Sequence, residues 1–381
     1  RFLQEPRGKY DVVMVGIPSP ATLGLNRYFT DEFISVIKQH IKPSGVIAYG
    51  LPSTGEYISA KAGALQSTLY QTLAGHFSHI LVIAGGRNYF LASDRPLSAD
   101  IPGLIDSAQI PTLYVNSFYL DAGRLKERSA LLTEEISDLR ISGGEKVINL
   151  NFKPVMVYQQ TGWWLSHFSG TSAILIMVAI LLLVAATMIM NPVSAGLFTG
   201  GFTVASAEVM ILFGLQVLTG YLFQAVGAII MIFMLGLALG AAPGLLLPTN
   251  KFNRAYLVLQ TLMAMLAGLI PVILTWPTLG RSGPGGIMIT LGILALLVSM
   301  VAGMQYRMAS SLPGWKPSLQ LPVNYPAELF GAAAGALLAS MVLIPLTGLL
   351  TTGCVLAVLN LLSALFYFLA GRKGLPSGGN F

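Results

Sequence analysis

Five polar side chains in the first 80 residues have the types and spacing for acid–base chemistry. Tyr28, Asp31 and Glu32 lie at the start of a predicted helix, and His76 and His79 flank the end of another. Carboxylate, phenol and imidazole side chains are common general acids and bases in enzymes, so these residues are candidates for catalysis. The same positions suit helix ends, where acids complement the amino terminus and histidines the carboxyl terminus. We therefore interpret these residues as capping and solvated groups, with acid–base chemistry as the alternative.

Other signatures of chemistry are missing from the sequence. Asp94 follows a predicted strand and is interpreted as a turn residue. Cys354 is the single cysteine, which excludes an intramolecular disulfide and a CxxC metal site. No P-loop, nucleophile elbow or metal-binding histidine motif is found, and neither "GGR" at 85–87 nor "SGGEK" at 142–146 joins a strand to a helix as a cofactor turn must. We predict no catalytic residue, no metal ligand and no cofactor-binding residue in this chain.

A predicted α/β domain positions these residues. "YDVVMVGI" (10–17) and "GVIAYGLP" (45–52) are continuous apolar runs, typical of parallel strands covered on both faces. Helices are predicted over 30–41 and 59–77. "HILVIAGG" and "NYFLASD" are two further strands that "GGR" joins as a hairpin. This order matches the second half of a methyltransferase-type Rossmann domain with an antiparallel closing strand, and ligands of such domains bind at the carboxyl ends of the parallel strands.

The composition changes sharply near residue 170. Of the 16 acidic residues, 14 precede that point and only Glu208 and Glu328 follow it, whereas 15 of the 22 basic residues precede it. The second part therefore fits a membrane domain, and the net charge of +6 is explained by its loops rather than by nucleic-acid binding. Apolar stretches long enough to cross a bilayer are predicted at 171–190, 194–216, 219–242, 256–276, 287–305, 327–347 and 349–370.

These features predict four parts: an α/β domain (1–160), an interfacial linker (161–170), a bundle of about seven transmembrane helices (171–370) and a tail (371–381). Basic residues in the loops fix the orientation by the positive-inside rule. On the side of the tail lie Lys251, Arg254, Arg307, Lys316, Arg372 and Lys373, against Arg281 on the other side. We predict a multi-pass protein of the bacterial inner membrane with a cytoplasmic tail and an extracytoplasmic soluble domain.

Few residues of the membrane part could do chemistry. No histidine lies within a span, which excludes a haem held by paired histidines there. Glu208 is an intramembrane acid, which is either protonated and hydrogen-bonded to a neighbouring helix or takes part in ion or proton movement. Small residues at close spacing, at Gly236 with Gly240 and at Gly331 with Gly335, predict helix–helix contacts.

The soluble part resembles the spermidine synthase family. The similarity lies in "YDVVMVGIPSPATLGLNRYFTDEFISVIKQHIKPSGVIAYG" and in "YQTLAGHF", "NYFLASD" and "INLNFKP". It extends to bacterial membrane proteins that fuse transmembrane spans to such a domain, through "GFTVASAEVMILFGLQ" and "YPAELFGAAAGALLA". The resemblance covers most of residues 1–370, and it implies an aminopropyltransferase-like fold for the soluble part.

The same resemblance implies that the substrate pocket is degenerate. The family has a carboxylate at the end of the first strand, which takes a proton from the attacking amine, and this chain has Gly16 there. A second acid of the following loop corresponds to Ser19, with Pro20 kept, and a common Gln at the end of the next strand corresponds to Gly50. The glycine-rich cofactor turn would precede Arg1. Because residue 1 is not Met and no signal peptide follows, we expect the chain to begin within a longer protein.

We therefore predict a catalytically degenerate membrane protein, a pseudoenzyme that acts as an accessory subunit or docking platform in a bacterial membrane complex. Its partners would be the bilayer and other membrane or extracytoplasmic proteins, without nucleic acid. One alternative is an active, membrane-tethered aminopropyltransferase that uses decarboxylated S-adenosylmethionine through an upstream cofactor-binding half. A transporter that relies on Glu208 is a second alternative.

Overall fold

Residue contacts divide the chain into two units, residues 1–169 (unit 1) and 170–381 (unit 2). A computed structural model describes residues 8–53, 59–138, 147–167, 190–220, 224–242, 252–310 and 317–372. Helix continues to Leu165, so residues 161–165 of the predicted linker are helical. The finer boundaries of the linker and of the tail stay predictions.

Unit 1 contains a mixed sheet of four strands in the order β1-β2-β4-β3. The strands are β1 (Tyr10–Val15), β2 (Ile41–Pro52), β3 (His79–Ile83) and β4 (Arg87–Ser93). β1 and β2 are parallel, whereas β4 is antiparallel to both β2 and β3. The predicted hairpin is therefore confirmed, and its second strand is the one inserted beside β2.

Among the described residues of unit 1, six α-helices accompany this sheet: α1 (Leu23–Asn26), α2 (Asp31–His40), α3 (Ala60–Ala74), α4 (Ile101–Ser107), α5 (Ala122–Asp138) and α6 (Val155–Leu165). Side chains set several of their starts, since the Ser59 hydroxyl accepts a hydrogen bond from the Ala62 N–H and the Asp100 carboxylate accepts one from the Gly103 N–H. The core between sheet and helices is apolar and includes Phe29, Tyr49, Leu69, Phe90 and Ile136.

β1 differs from the sequence-based expectation. Its apolar run predicts a strand covered on both faces, yet the side chains of Val12 and Met14 are 58% and 75% exposed. Val13 and Val15, which point to the opposite face, pack against the core. In the part of the chain that the structure describes, β1 is an edge strand with one covered face. The burial of β1 that we predict from its continuous apolar run is therefore too high.

The described part of unit 2 is helical, and five of its helices are long and apolar enough to cross a bilayer. The chain is therefore a membrane protein. The described helices of unit 2 are α7 (Pro192–Thr219), α8 (Gln224–Ala241), α9 (Phe252–Thr275), α10 (Pro277–Arg281), α11 (Gly283–Ser310), α12 (Pro317–Leu338), α13 (Ile344–Thr347) and α14 (Leu349–Arg372), with a π-turn at Ala339–Leu343. The five spans belong to α7, α9, α11, α12 with α13, and α14, whereas α8 contributes a shorter apolar segment, Ala225–Ala241. The predicted first span (171–190) lies almost wholly outside the described residues, so the count of seven stays a prediction.

Glycines let the helices of unit 2 approach closely, as the sequence predicts. A Cβ added at Gly331 or Gly335 would collide with the backbone of α7 at Phe198 or Phe202. One added at Gly240 would collide with the backbone of α11 at Met300. The predicted interpretation of these glycines as helix contacts is confirmed, and any larger side chain would force the helices apart.

Candidate functional site

The predicted substrate loop follows β1 and leads into α1. Gly16 is exposed, and a Cβ added there would meet no atom within 4 Å. The Ser19 carbonyl accepts a hydrogen bond of 2.7 Å from the Ala21 N–H, and Pro20 is buried. The Thr22 hydroxyl then caps α1 by accepting a bond of 3.3 Å from the Leu25 N–H. The loop has a defined turn, and there is room at its start for the carboxylate that the sequence lacks.

Gly50, the fourth predicted pocket position, lies beside an arginine. The Arg87 guanidinium, which comes from the first residue of β4, donates a hydrogen bond of 2.8 Å to the Gly50 carbonyl. A Cβ at Gly50 would lie 3.3 Å from Arg87 Nε and 3.4 Å from the Tyr89 ring. An exposed cation and an aromatic ring therefore cover the position where the resemblance implies a glutamine. Sequence reasoning missed Arg87, because the register of β2 and β4 brings it there.

A buried amide pair lies near the same end of β2. Asn88 donates to the Gln66 carbonyl oxygen over 2.9 Å, and Gln66 donates to the Pro52 carbonyl over 3.1 Å. Both side chains are almost fully buried. The pair ties α3 to the end of β2 and the start of β4, and it fixes the strand from which Arg87 projects. Because both groups are neutral and bonded, we assign them a structural role.

The acid–base candidates fall into one pair and several separate residues. Nε2 of His76 lies 2.7 Å from Oδ1 of Asp31. The start of α2 therefore meets the end of α3, a contact that the sequence does not predict. His79 is instead an exposed residue at the start of β3. Asp94 forms an ion pair of 2.6 Å with Lys38 rather than serving only its own turn. Among the described residues, no cluster of three or more potential metal ligands occurs.

Glu32 and Tyr28 each accept a hydrogen bond from another segment, Glu32 through its carboxylate and Tyr28 through its carbonyl. The Glu32 carboxylate accepts bonds of 3.0 and 3.1 Å from the Asn151 N–H. Partial burial raises the pKa of the Glu32 carboxyl, and this hydrogen bond opposes the rise. The Tyr28 carbonyl accepts a bond of 2.9 Å from the hydroxyl of Tyr49, whose own pKa burial raises. These contacts support a structural interpretation of both residues.

Asn149 is the centre of this arrangement, which we call the Asn149 clamp. Its side-chain amide donates 3.0 Å bonds to Asn26 Oδ1 and to the Phe29 carbonyl, and its side-chain oxygen accepts from the Met156 N–H over 3.4 Å. Its backbone N–H donates to the Thr72 hydroxyl, and its carbonyl accepts from the Asp31 N–H. The clamp therefore joins α1, α2, α3 and α6. The signal in the sequence was "INLNFKP", but apart from Met156 the partners of Asn149 lie more than 70 residues away.

Unit 2 contains a polar layer that sequence reasoning also missed. Gln305 donates to Gln260 over 2.8 Å, and Gln260 donates to Thr199 over 2.9 Å and to Asn360 over 3.3 Å. Asn360 donates in turn to the Thr203 hydroxyl. These five side chains come from α7, α9, α11 and α14. They are neutral and bonded to one another, as polar groups in a bilayer must be.

Glu208, the predicted intramembrane acid, lies on α7 and is only partly buried. The hydrogen bond to a neighbouring helix that the sequence suggests is not seen, because the described residues give its carboxylate no hydrogen bond and no ion pair. The helices that carry the polar layer are therefore joined without it. A role for Glu208 in ion or proton movement stays a prediction.

Comparisons with known proteins give one short similarity. The chain is 38% identical to a polyamine aminopropyltransferase of Oceanobacillus iheyensis over 47 residues, which are 12% of this chain and 9% of that protein. No protein-family model matches the chain. No solved structure matches it either.

Proposed function

We propose that unit 1 is a Rossmann-like relative of aminopropyltransferases that has lost aminopropyl transfer. In this proposal the protein is a structural or accessory subunit of a bacterial inner-membrane complex, and unit 1 docks other subunits. The observation that carries the proposal is the charge of the predicted pocket positions. Gly16 and Ser19 offer no carboxylate, and the exposed guanidinium of Arg87 covers Gly50.

The chemistry of the transfer supports this proposal. The attacking amine must give up a proton, and a cationic substrate needs acidic groups to hold it. Each charge-assisted hydrogen bond that is missing removes roughly 1.5–3 kcal/mol of binding. Arg87 adds repulsion, because a cationic amine that binds near Gly50 would meet the like charge of the guanidinium.

The sheet supports the proposed ancestry. Two parallel strands, β1 and β2, are followed by the hairpin of β3 and β4, and β4 lies between β2 and β3 in the sheet. This is the arrangement expected for the second half of a methyltransferase-type Rossmann domain, and the substrate loop at residues 16–20 follows the carboxyl end of β1.

Calorimetric titration of the full-length natural protein in detergent tests the proposal. Decarboxylated S-adenosylmethionine and then a diamine such as putrescine are added, and product is measured by mass spectrometry. We expect no binding heat and no aminopropylated product. Micromolar binding with turnover would overturn the proposal.

A set of variants shows which change removed the activity. Gly16→Asp with Ser19→Asp restores the acids, and Arg87→Gln removes the cation. Diamine binding by the variant that carries all three changes, and not by the natural protein, supports a pocket lost through charge. Gly86→Asp is a matched control, since it adds an acid at an exposed turn nearby.

The short similarity to an aminopropyltransferase favours a second candidate, an active membrane-tethered enzyme. It requires a cofactor-binding half outside residues 1–381 and another group as base. A transporter would instead depend on Glu208, and Glu208→Gln would then abolish uptake in vesicles.

The proposed orientation, with unit 1 outside and the tail in the cytoplasm, predicts that protease added to intact spheroplasts cleaves unit 1. Full protection of unit 1 would contradict this orientation.

A further inference from the structure

We infer that unit 1 contacts the membrane in addition to the spans of unit 2. The contact is made by the loop that joins α4 to α5, which inserts into the headgroup region of the bilayer. We call residues 109–120 the aromatic loop. This inference concerns a surface and does not depend on whether unit 1 is catalytic. Between Asp106 and Asp121 the sequence has no charged residue.

The aromatic loop exposes its large apolar side chains to an unusual extent. Phe118 is 88% exposed and Leu113 80%, and Tyr114 and Tyr119 are mostly exposed as well. The rings are arranged edge to face, with centroids 5.6 Å apart for Tyr114 and Tyr119 and 5.3 Å apart for Phe118 and Tyr119. Single exposed apolar residues are ordinary, but a contiguous group marks an interaction surface.

The backbone of the aromatic loop satisfies many of its own hydrogen bonds. The Asn116 side-chain oxygen accepts from the N–H groups of Phe118 and Tyr119 over 3.1 and 3.3 Å, and its amide donates to the Leu113 carbonyl over 3.2 Å. The Thr112 hydroxyl donates to the Val115 carbonyl over 2.7 Å. A loop whose polar backbone groups are paired internally enters an apolar environment at a lower cost, because few groups lose water without replacement.

Basic side chains follow the aromatic loop on its carboxyl-terminal side, after the capping residue Asp121. α5 begins at Ala122, and its first two turns carry exposed Arg124, Lys126 and Arg128 against a single acid, Glu127. The acids Glu134, Glu135 and Asp138 lie at the far end of the helix. Charge is thus polarised along α5, with the positive end next to the exposed rings. Arginine and lysine beside such rings complement anionic lipid headgroups.

These features favour a bilayer over a protein partner. Segments that combine tyrosine, phenylalanine and leucine with basic residues partition to the membrane interface. Unit 2 of the same chain spans a bilayer, so the tether keeps lipid at a high effective concentration near unit 1. The loop would therefore need only a modest affinity of its own.

Site-specific fluorescence quenching in nanodiscs tests the inference on the full-length protein. Cys354→Ser removes the native thiol, and Ser117→Cys places a bimane label within the aromatic loop. Ser44→Cys, at another exposed serine of unit 1, is the matched control. The discs contain phosphatidylcholine and phosphatidylglycerol, with either nitroxide-headgroup lipid or aqueous iodide as the quencher.

We expect the label at residue 117 to be quenched by the nitroxide lipid and shielded from iodide, and the label at residue 44 to behave in the opposite way. Phe118→Ser should lower the ratio of inserted to free loop by roughly tenfold or more. Arg124→Gln, Lys126→Gln and Arg128→Gln should each lower it by roughly fivefold. Discs of phosphatidylcholine alone should reproduce the effect of the charge variants.

Three results would overturn the inference. Free access of iodide to the label at residue 117 would show a loop that stays in water. Shielding from iodide without quenching by the lipid would show that protein, either unit 2 or a second copy, covers the loop. Equal lipid quenching at residues 44 and 117 would show that proximity to the disc is not specific to the loop.

Discussion

The Asn149 clamp and the predicted substrate edge, which contains Gly16 and Gly50, belong to the same unit and to the same sequence resemblance. They differ in how many polar contacts their residues make. In the clamp, Asn149 makes three hydrogen bonds through its side chain and two through its backbone. At the substrate edge, Gly16 is open to solvent and Gly50 is covered by Arg87. The polar residues that hold helices together are present, whereas those that the resemblance assigns to chemistry are replaced.

This difference teaches that stability and chemistry impose separate requirements on one fold. A buried amide whose loss leaves several groups unpaired is costly to replace. An exposed carboxylate that serves only a reaction can be exchanged for glycine with little effect on folding. Under the proposed loss of aminopropyl transfer, a local resemblance in sequence reports the scaffold without reporting the activity.

Removal of the clamp should have the largest effect on stability. Asn149→Leu leaves Asn26 Oδ1, the Phe29 carbonyl and the Met156 N–H without their partner, and we expect a loss of about 3 kcal/mol or more in the free energy of unfolding. Hydrogen exchange of unit 1 in the intact protein measures it. The neighbouring Leu150→Ala is the control, and equal losses in the two variants would contradict the role of Asn149.

The polar layer of unit 2 should show an intermediate effect. Asn360→Leu removes its bonds with Gln260 and Thr203, and we expect about 1–2 kcal/mol of destabilisation, the upper range for such bonds in membranes. Unfolding in mixed detergent micelles measures the change. Leu361→Ala, at a half-exposed neighbouring position of α14, should cost less; the reverse order would show that packing, not hydrogen bonding, matters there.

Changes at the substrate edge should leave stability nearly unaltered. Gly16→Asp places a side chain in open space, and we expect a change within about 0.5 kcal/mol in the free energy of unfolding. Thermal unfolding of the full chain provides the measurement. A large loss would mean that Gly16 has a structural role, and the contrast with Asn149 would then disappear.

Glu32 should give the smallest effect, visible through its pH dependence. Its pKa is raised in the folded protein, so its contribution is fully present below its ordinary value of 4.5 and is lost as the pH rises through the folded pKa. Glu32→Gln keeps an acceptor for the Asn151 N–H and removes this titration. We therefore expect the variant to gain relative to the parent between pH 4 and pH 7 in thermal unfolding, and a constant difference across that range would contradict the assignment.

The sequence predicted features that depend on local patterns. The strands, the hairpin and the described membrane spans follow from apolar runs bounded by turn residues, and the glycine contacts in unit 2 follow from spacing. These signals lie within about twenty neighbouring residues.

The remaining features depend on distant partners. Arg87 reaches Gly50 through strand register, Asp31 meets His76 across 45 residues, and Asn149 contacts Asn26 across 123. The exposed face of β1 was also missed, because an apolar strand gives the same pattern whether it is central or at an edge. Where a chain folds back on itself, residue type alone does not identify the contact.

The open side of β1 has a practical consequence for handling the protein. In the described part of the chain, this strand pairs with β2 on one side only, and Val12 and Met14 add an uncovered apolar strip. An edge strand with free backbone groups and aliphatic side chains is a template for adding a foreign strand. A fragment limited to residues 8–167 should therefore assemble into oligomers or precipitate as its concentration rises, and an Arg or Lys in place of Met14 should delay this.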